Sequence, residues 1–456
     1  MIAQNYLEDN ADPPNHHAKI AIIGGGSLHC SGFIQNLIQH PNTLRGCQIT
    51  LMDIDEERLN LTYTLASKLL QQANTGIQIE KTTSQEEAIE DASFVLITFR
   101  TGGMRARVID EKLPLRHNLI GQDTVGAGGF FYALRTAPVI AGIAAEIEKL
   151  APKAFLLNYT SPSNIVTEAI SHASGIRVIG MEDHPYPETD LILQRAGIGA
   201  ESKKRIHPRK IGLSHGNWTT AIWRDGENIL PGAIKWYEDF VQNNPTINEE
   251  NYPTVLLARL ATQYGAIPSY YMHYYYYPDI VLEYQRQRKQ TPTEKLIERM
   301  PELIATYKKE ASNDHPDVSQ IMNFPGDLGL SSRALSVMRS ILNDTGEEWV
   351  LNVPNNGSIN FLADDRVVEL PCRVDARGAT PLTQKDGGLS LDQRGLIAAL
   401  AEYEGATARV ALWGTRKDAI KALAANPLVW SYSKAEKVYD DLAMAHKQYL
   451  PQRLLN

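Results

Sequence analysis

The chain has 456 residues, 43% of them hydrophobic, enough to bury a large core, and its length favours two closely associated domains over one. With 45 basic and 53 acidic residues the formal charge is −8, which offers no field for a phosphate backbone and argues against a nucleic-acid partner. The three cysteines, Cys30, Cys47 and Cys372, form no CxxC pair, pointing away from a disulfide framework or structural zinc and towards a reducing, cytoplasmic setting.

In chain order, residues 1–17 are polar and acidic with paired prolines and read as a loose tail without the basic-then-apolar order of a signal peptide. Residues 19–23 are a short apolar run rich in β-branched side chains, followed at once by Gly24-Gly-Gly-Ser27, the order expected where a buried strand turns into a helix. Further strands are expected at 48–53, 94–98, 154–158 and 177–180, with helical stretches at 85–91, 133–150 and 163–172 between them. Strands alternating with helices imply right-handed βαβ crossovers and an α/β fold, a Rossmann-like, doubly wound parallel sheet. No apolar run reaches the ~18 residues of a membrane span; the longest candidate, 137–145, is followed by Glu146. After Pro185 the rhythm changes to longer helical candidates (251–264, 292–310, 333–343, 391–404 and 435–448) with few strands. The expected division is therefore 1–185, a dinucleotide-binding domain, and 186–456, an α+β substrate domain.

A glycine turn after the first strand lets the backbone approach a pyrophosphate held by amides of the following helix. Gly24, Gly26 and Ser27 are placed for this, although His29 breaks the usual G-x-G-x-x-G spacing. Asp53, ending the second strand, is placed to accept from adenosine ribose hydroxyls and would repel a 2′-phosphate, so NAD is expected over NADP. The competing reading makes Asp53 or Asp55 an N-cap for a helix starting near Glu56; both can hold.

Several blocks, in order along nearly the whole chain, resemble family 4 of the glycoside hydrolases. Lys19 to Ser27 resembles the family's opening, and Phe99-Arg-Thr-Gly-Gly103 its F-R-x-G-G loop. Ile120-Gly-Gln-Asp-Thr-Val-Gly-Ala-Gly-Gly-Phe-Phe131 is similar to I-G-Q-E-T-x-G-x-G-G-F, with Asp123 in place of glutamate. Asn158-Tyr-Thr-Ser-Pro162 resembles N-x-T-N-P with Ser161 replacing asparagine, and blocks at 267–279, 351–359 and 368–371 follow. The resemblance implies NAD and a manganese ion between two domains.

The resemblance also implies roles. A family cysteine and a histidine in G-L-x-H hold the metal; His215 of Gly212-Leu-Ser-His215 matches the histidine, and the cysteine position falls on Glu182. Carboxylate plus imidazole suits manganese, so either the site persists in altered form or it is lost. Asp183 matches the general acid of α-selective members, with His184 beside it, and capping is its competing role. Six tyrosines lie within 270–277; Tyr271 best matches the base, with Tyr274 and Tyr275 as alternatives. A tyrosine needs a nearby cation to serve as base at neutral pH. Asn158, Asp123, His184 and Arg288 are the expected substrate contacts, and Arg100 is expected at the cofactor. Ser27, Arg100, Arg286 and Arg288 are available for a C6 phosphate or sulfonate, and the Glu182-Asp183 pair favours an α-linkage. The implied activity is glycoside cleavage by transient C3 oxidation, elimination and water addition, in a homodimer or homotetramer. The rivals are a net dehydrogenase of a sugar or hydroxy acid and a non-catalytic NAD-binding sensor.

Overall fold

The structure, a computed structural model, describes residues 17–27, 30–182, 206–317, 319 and 332–456. The first strands are runs of buried aliphatic side chains: β1 (Lys19–Ile23), β2 (Gln48–Met52), β4 (Phe94–Ile97) and β5 (Phe155–Asn158) are buried almost throughout. Such continuous burial is what a parallel sheet covered by helices on both faces requires. With β3 (Gln78–Thr82) and β6 (Arg177–Gly180), the parallel order is β3-β2-β1-β4-β5-β6. That is the order of a doubly wound dinucleotide fold, and it reverses direction between β1 and β4, opening a crevice beyond the carboxyl ends of those two strands.

The sheet does not stop where the sequence rhythm changes. β7 (Ile206–Leu213), β8 (Gly216–Arg224), β9 (Glu227–Asn228), β10 (Ile267–Pro268), β11 (Glu347–Pro354), β12 (Val367–Asp375) and β13 (Gly378–Pro381) extend it. The path runs β10-β8-β7-β12-β11-β6, all antiparallel, so among the described residues the expected second domain continues the sheet of the first. The join at β6 is Gly180 against Asn352, where a methyl group on Gly180 would meet the Thr167 hydroxyl at 2.3 Å. Helices of the C-terminal half return to cover the N-terminal sheet. Leu391–Trp413 packs on Gly126–Leu150 and Ser163–Ala173, and Tyr432–His446 packs on Gly103–Arg116.

Several boundaries differ from the sequence reading. The Gly126–Leu150 helix starts seven residues earlier than 133 because Gly126 to Leu134 are all buried. It is long and apolar enough to cross a membrane, but its most apolar stretch is 67% buried inside the protein, as a core helix is. The Leu391–Trp413 helix continues past Gly405, where the glycine is demanded by packing: a Cβ there would lie 2.7 Å from both the Arg366 guanidinium and Glu168 Oε1. Elements that went unread include β3, the helices Gly103–Arg116, Leu230–Asn243, Pro278–Gln287 and Arg416–Ala424, and the individual strands of the antiparallel half.

Candidate active site

At the carboxyl end of β1 the chain turns with Gly24 at φ +96°, a conformation that favours glycine. The Gly24 and Gly25 amides donate to the Met52 carbonyl at 2.9 and 2.8 Å, which folds the turn over the end of β2. A methyl on Gly24 would sit 2.5 Å from the Thr98 carbonyl, and one on Gly26 would sit 3.0 Å from the Asp53 carboxyl. The turn is therefore a bare-backbone cradle at the topological switch point, and its residues fit a dinucleotide pyrophosphate. Asp53 Oδ2 accepts from the Gly26 amide at 2.9 Å and Oδ1 accepts from the Asp55 amide at 2.9 Å. A carboxylate has about four acceptor positions, so capacity remains for ribose hydroxyls. The cap of Glu56–Gln72 is Asp55, whose side chain accepts from the Arg58 amide at 3.1 Å; the two aspartates thus divide the two readings between them.

Beyond β4, Phe99 abuts the glycine turn and Arg100 leads away from it. Arg100, expected at the cofactor, pairs through Nη2 with Asp123 Oδ2 at 2.9 Å, while its guanidinium lies 4.0 Å from the Tyr132 ring. Arg107, on the Gly103–Arg116 helix, adds a contact to the same Asp123 oxygen at 3.0 Å and one to Glu111 at 3.2 Å. Burial alone would raise the Asp123 carboxyl; Arg107 and Arg100 overcome it and hold Asp123 below the usual carboxylate range.

The antiparallel half supplies the other wall. His215 sits in the tight turn between β7 and β8, enforced by Gly212 at φ +139°, where a Cβ would meet the Gly216 carbonyl at 2.4 Å. The turn aims a buried imidazole at the end of β6, where Glu182 follows Met181. His215 Nε2 and Glu182 Oε1 are 3.9 Å apart, and Glu182 accepts from the Ser161 hydroxyl at 3.4 Å. Carboxylate and imidazole together suit a hard divalent cation such as manganese. No third His, Cys, Asp or Glu joins them among the described residues.

The Tyr271 ring stands edge-on to His215, centroids 4.3 Å apart and planes at 89°. Burial first, then the negative charges of Glu182 and Asp123, push the Tyr271 phenol well above its ordinary value, against a hydrogen bond with Thr124 that lowers it. Of the alternative tyrosines, Tyr274 lies behind Tyr271, centroids 6.2 Å apart, tilted against His273 at 4.1 Å, and Tyr275 lies near Glu404 and Tyr403.

Glu182, His215, Tyr271, Asp123 and Arg100 therefore form one cluster next to the glycine turn. Asn158, at the end of β5, is fully buried, and its amide is engaged by Thr160 and Thr167 within the protein. Arg288 donates to the Tyr252 hydroxyl at 2.7 Å, beside the outer Tyr270, and Arg286 donates to Asn118 at the surface. Asp183 and His184 lie outside the described residues. Sequence reasoning missed Arg107 and Tyr132; the i,i+4 spacing of Arg107 and Glu111 was the available signal for the first.

The family model "Family 4 glycosyl hydrolase" matches residues 19–198, and its C-terminal domain model matches 210–429. The chain belongs to glycosyl hydrolase family 4 and is a glycosidase acting on O-glycosyl bonds. It is 32% identical over 446 residues to a Bacillus subtilis (strain 168) protein described as "Probable 6-phospho-beta-glucosidase", covering 95% of this chain and 97% of that one. It is 29% identical to the phospho-alpha-glucosidase PagL of Clostridium acetobutylicum, covering 94% and 98%. Among solved structures, a 6-phospho-alpha-glucosidase from gut microorganisms in complex with NAD and glucose-6-phosphate superposes with a TM-score of 0.82 at 26% identity, over 96% of this chain and 99% of that one. The 6-phospho-beta glucosidase of Thermotoga maritima with manganese, NAD+ and glucose-6-phosphate superposes with a TM-score of 0.82 at 25% identity, over 95% and 99%.

Proposed function

We propose that this glycosidase hydrolyses an α-linked glycoside carrying an anion at C6, using NAD and a divalent metal, with manganese the metal best matched to its ligands. The observation that carries this reading is the arrangement of Tyr271 against His215, with Glu182 3.9 Å from the imidazole and the glycine turn beside them. Relatives of both linkage types act on 6-phosphoglycosides, and two solved relatives hold glucose-6-phosphate with NAD. We take phosphate as the C6 anion, with sulfonate as the alternative. The Glu182-Asp183 pair favours the α-anomer. Homodimeric or homotetrameric assembly and a cytoplasmic location complete the reading.

Gly24, Gly26, Ser27 and Asp53 would hold NAD, and Glu182 with His215 would hold the metal. When bound, NAD supplies a reversible hydride acceptor for the sugar's C3 and the metal supplies Lewis acidity. Oxidation at C3 acidifies the C2 proton, which Tyr271 removes. Burial first, then Glu182 and Asp123, push that phenol up, and the positive charge of a cation held by Glu182 and His215 would act in the opposite direction, favouring the phenolate. Asp183 would give a proton to the departing oxygen as water adds at C1, and because bound NAD would return the hydride it takes, no net redox would result. This route differs from the two-carboxylate scheme of most glycosidases.

The test is turnover of α- and β-linked 6-phospho, 6-sulfo and neutral glycosides in heavy water with NAD and manganese. Deuterium at C2 of the released sugar, no accumulating NADH, and loss of roughly 10²–10⁴-fold in rate for Tyr271→Phe are expected. Stoichiometric NADH would instead identify a net dehydrogenase.

A further inference from the structure

Arg100 is held from two sides, yet one of its nitrogens is enclosed without a hydrogen-bond partner among the described residues. Nη2 meets Asp123, the flat of the guanidinium meets Tyr132, and Nη1 has neither solvent nor acceptor. A buried donor left unsatisfied needs an explanation, and a ligand oxygen is the natural one in a cluster that also contains Asp123, whose charge reaches both His215 and Tyr271.

The support behind Arg100 is unusual. Tyr132 is buried on the Gly126–Leu150 helix, and its ring also faces Arg135, one turn further along, at 5.0 Å. Arg135 is fully buried; its Nη1 donates to Asp110 at 3.0 Å, its Nη2 pairs with the other Asp110 oxygen, and its Nε donates to the Thr101 carbonyl at 2.9 Å. Arg135 therefore fixes both the ring under Arg100 and the backbone immediately after it. Asp110 is anchored in turn by His446 Nε2 at 3.0 Å, from the C-terminal helix.

We propose that Tyr132 and Arg135 are positioning residues for Arg100: the ring, backed by Arg135, holds the guanidinium so that Nη1 meets a phosphoryl oxygen of the bound ligand. The oxygen belongs either to the dinucleotide or to the anionic sugar. This rests on the NAD-dependent phosphoglycosidase reading above.

The experiment titrates the enzyme separately with NAD and with glucose 6-phosphate, for wild type, Tyr132→Phe, Tyr132→Leu and Arg100→Lys, and for Tyr132→Leu combined with Arg100→Lys. Phe keeps the ring face and should bind within about twofold of wild type, whereas Leu should weaken one of the two ligands about 10- to 30-fold with kcat little changed, the loss expected for a desolvated cation–π contact. The weakened arm names the source of the oxygen. In the Arg100→Lys background Tyr132→Leu should add less than about twofold, because the ring acts through Arg100. Thermal melting verifies folding; if Leu unfolds the protein, Tyr132→Met, closer in volume, is read the same way. Unchanged binding of both ligands by a folded Leu or Met variant overturns the proposal, as do losses that simply multiply. A wild-type protein that binds neither NAD nor glucose 6-phosphate fails the functional reading itself.

Discussion

The parallel and antiparallel halves of the sheet build the site in different ways. The parallel half presents backbone at its cofactor end, a glycine turn beyond β1 with Asp53 tied into it, and adds the side chains of Arg100, Asp123 and Glu182 to the cluster. The antiparallel half presents buried side chains, His215 from the β7–β8 turn and Tyr271 just after β10. Backbone geometry suits recognition of a group shared by many enzymes, since it depends only on an open turn. Chemistry requires particular side chains held rigidly, and the second half holds them by burial. The two meet at Glu182, which leaves the last parallel strand and points at an antiparallel turn.

Removing that meeting point should give the largest effect. Glu182→Gln keeps shape but removes the charge, and manganese affinity should fall at least ~100-fold, since even groups behind a ligand contribute 10–100-fold. Manganese titration of a chelator-treated protein reads it; unaltered affinity would place the metal elsewhere.

A smaller effect separates the two aspartates of the parallel half. Asp53→Ala should weaken NAD about tenfold, the order of one charge-assisted hydrogen bond. Asp55→Ala should leave NAD binding alone and lower stability by about 1 kcal/mol, the usual cost of an N-cap. If Asp55→Ala weakens NAD and Asp53→Ala does not, their assignments are reversed.

The smallest effect lies in the buried seam between the halves. Glu404, on the Leu391–Trp413 helix, accepts from Asn164 at 3.2 Å, and Asn352 of β11 donates to the same Asn164. Burial, and then repulsion from Glu168 and Glu369, push its carboxyl up to about 8 from 4.5. Between those two values the unfolded chain has released a proton that the folded protein retains, so stability falls as pH rises through this window and levels off above it. Glu404→Gln should raise the melting temperature at pH 8 by roughly 1–4 °C and leave it unchanged at pH 4. Parallel melting curves for both proteins across pH would remove Glu404 as the cause.

The same contrast explains what was readable in advance. β1, β4 and β5 announce themselves because a strand buried on both faces is an uninterrupted aliphatic run, and the glycine turn follows directly. The Pro292–Ser312 helix was expected at 292–310, and in the structure Thr291 and Glu294 cap each other at its start. β3 was not, because it is half-exposed at the sheet edge and its Gln-Ile-Glu-Lys-Thr has no apolar run. The site's side chains emerged only through the family motifs, since nothing local in Leu213 or Tyr270 tells that His215 will face Tyr271 across 56 positions of sequence. Tyr132 and Arg135 were invisible for the same reason: their roles come from Arg100 and Thr101, brought together by the turn of a sheet.

One consequence of Glu182 reaches into how the protein can be handled. Where the family pattern has a cysteine, this chain has Glu182, the oxygen ligand of the proposed metal site. All three thiols are buried, Cys30 beneath the glycine turn with its thiol 3.7 Å from the Gly24 carbonyl, and burial pushes Cys30 up to about 12, Cys47 up to about 11 and Cys372 higher still. Thiolate is the form that alkylating agents and peroxide attack. The enzyme should accordingly tolerate iodoacetamide or purification in air without reductant, conditions that would erode a metal site depending on cysteine.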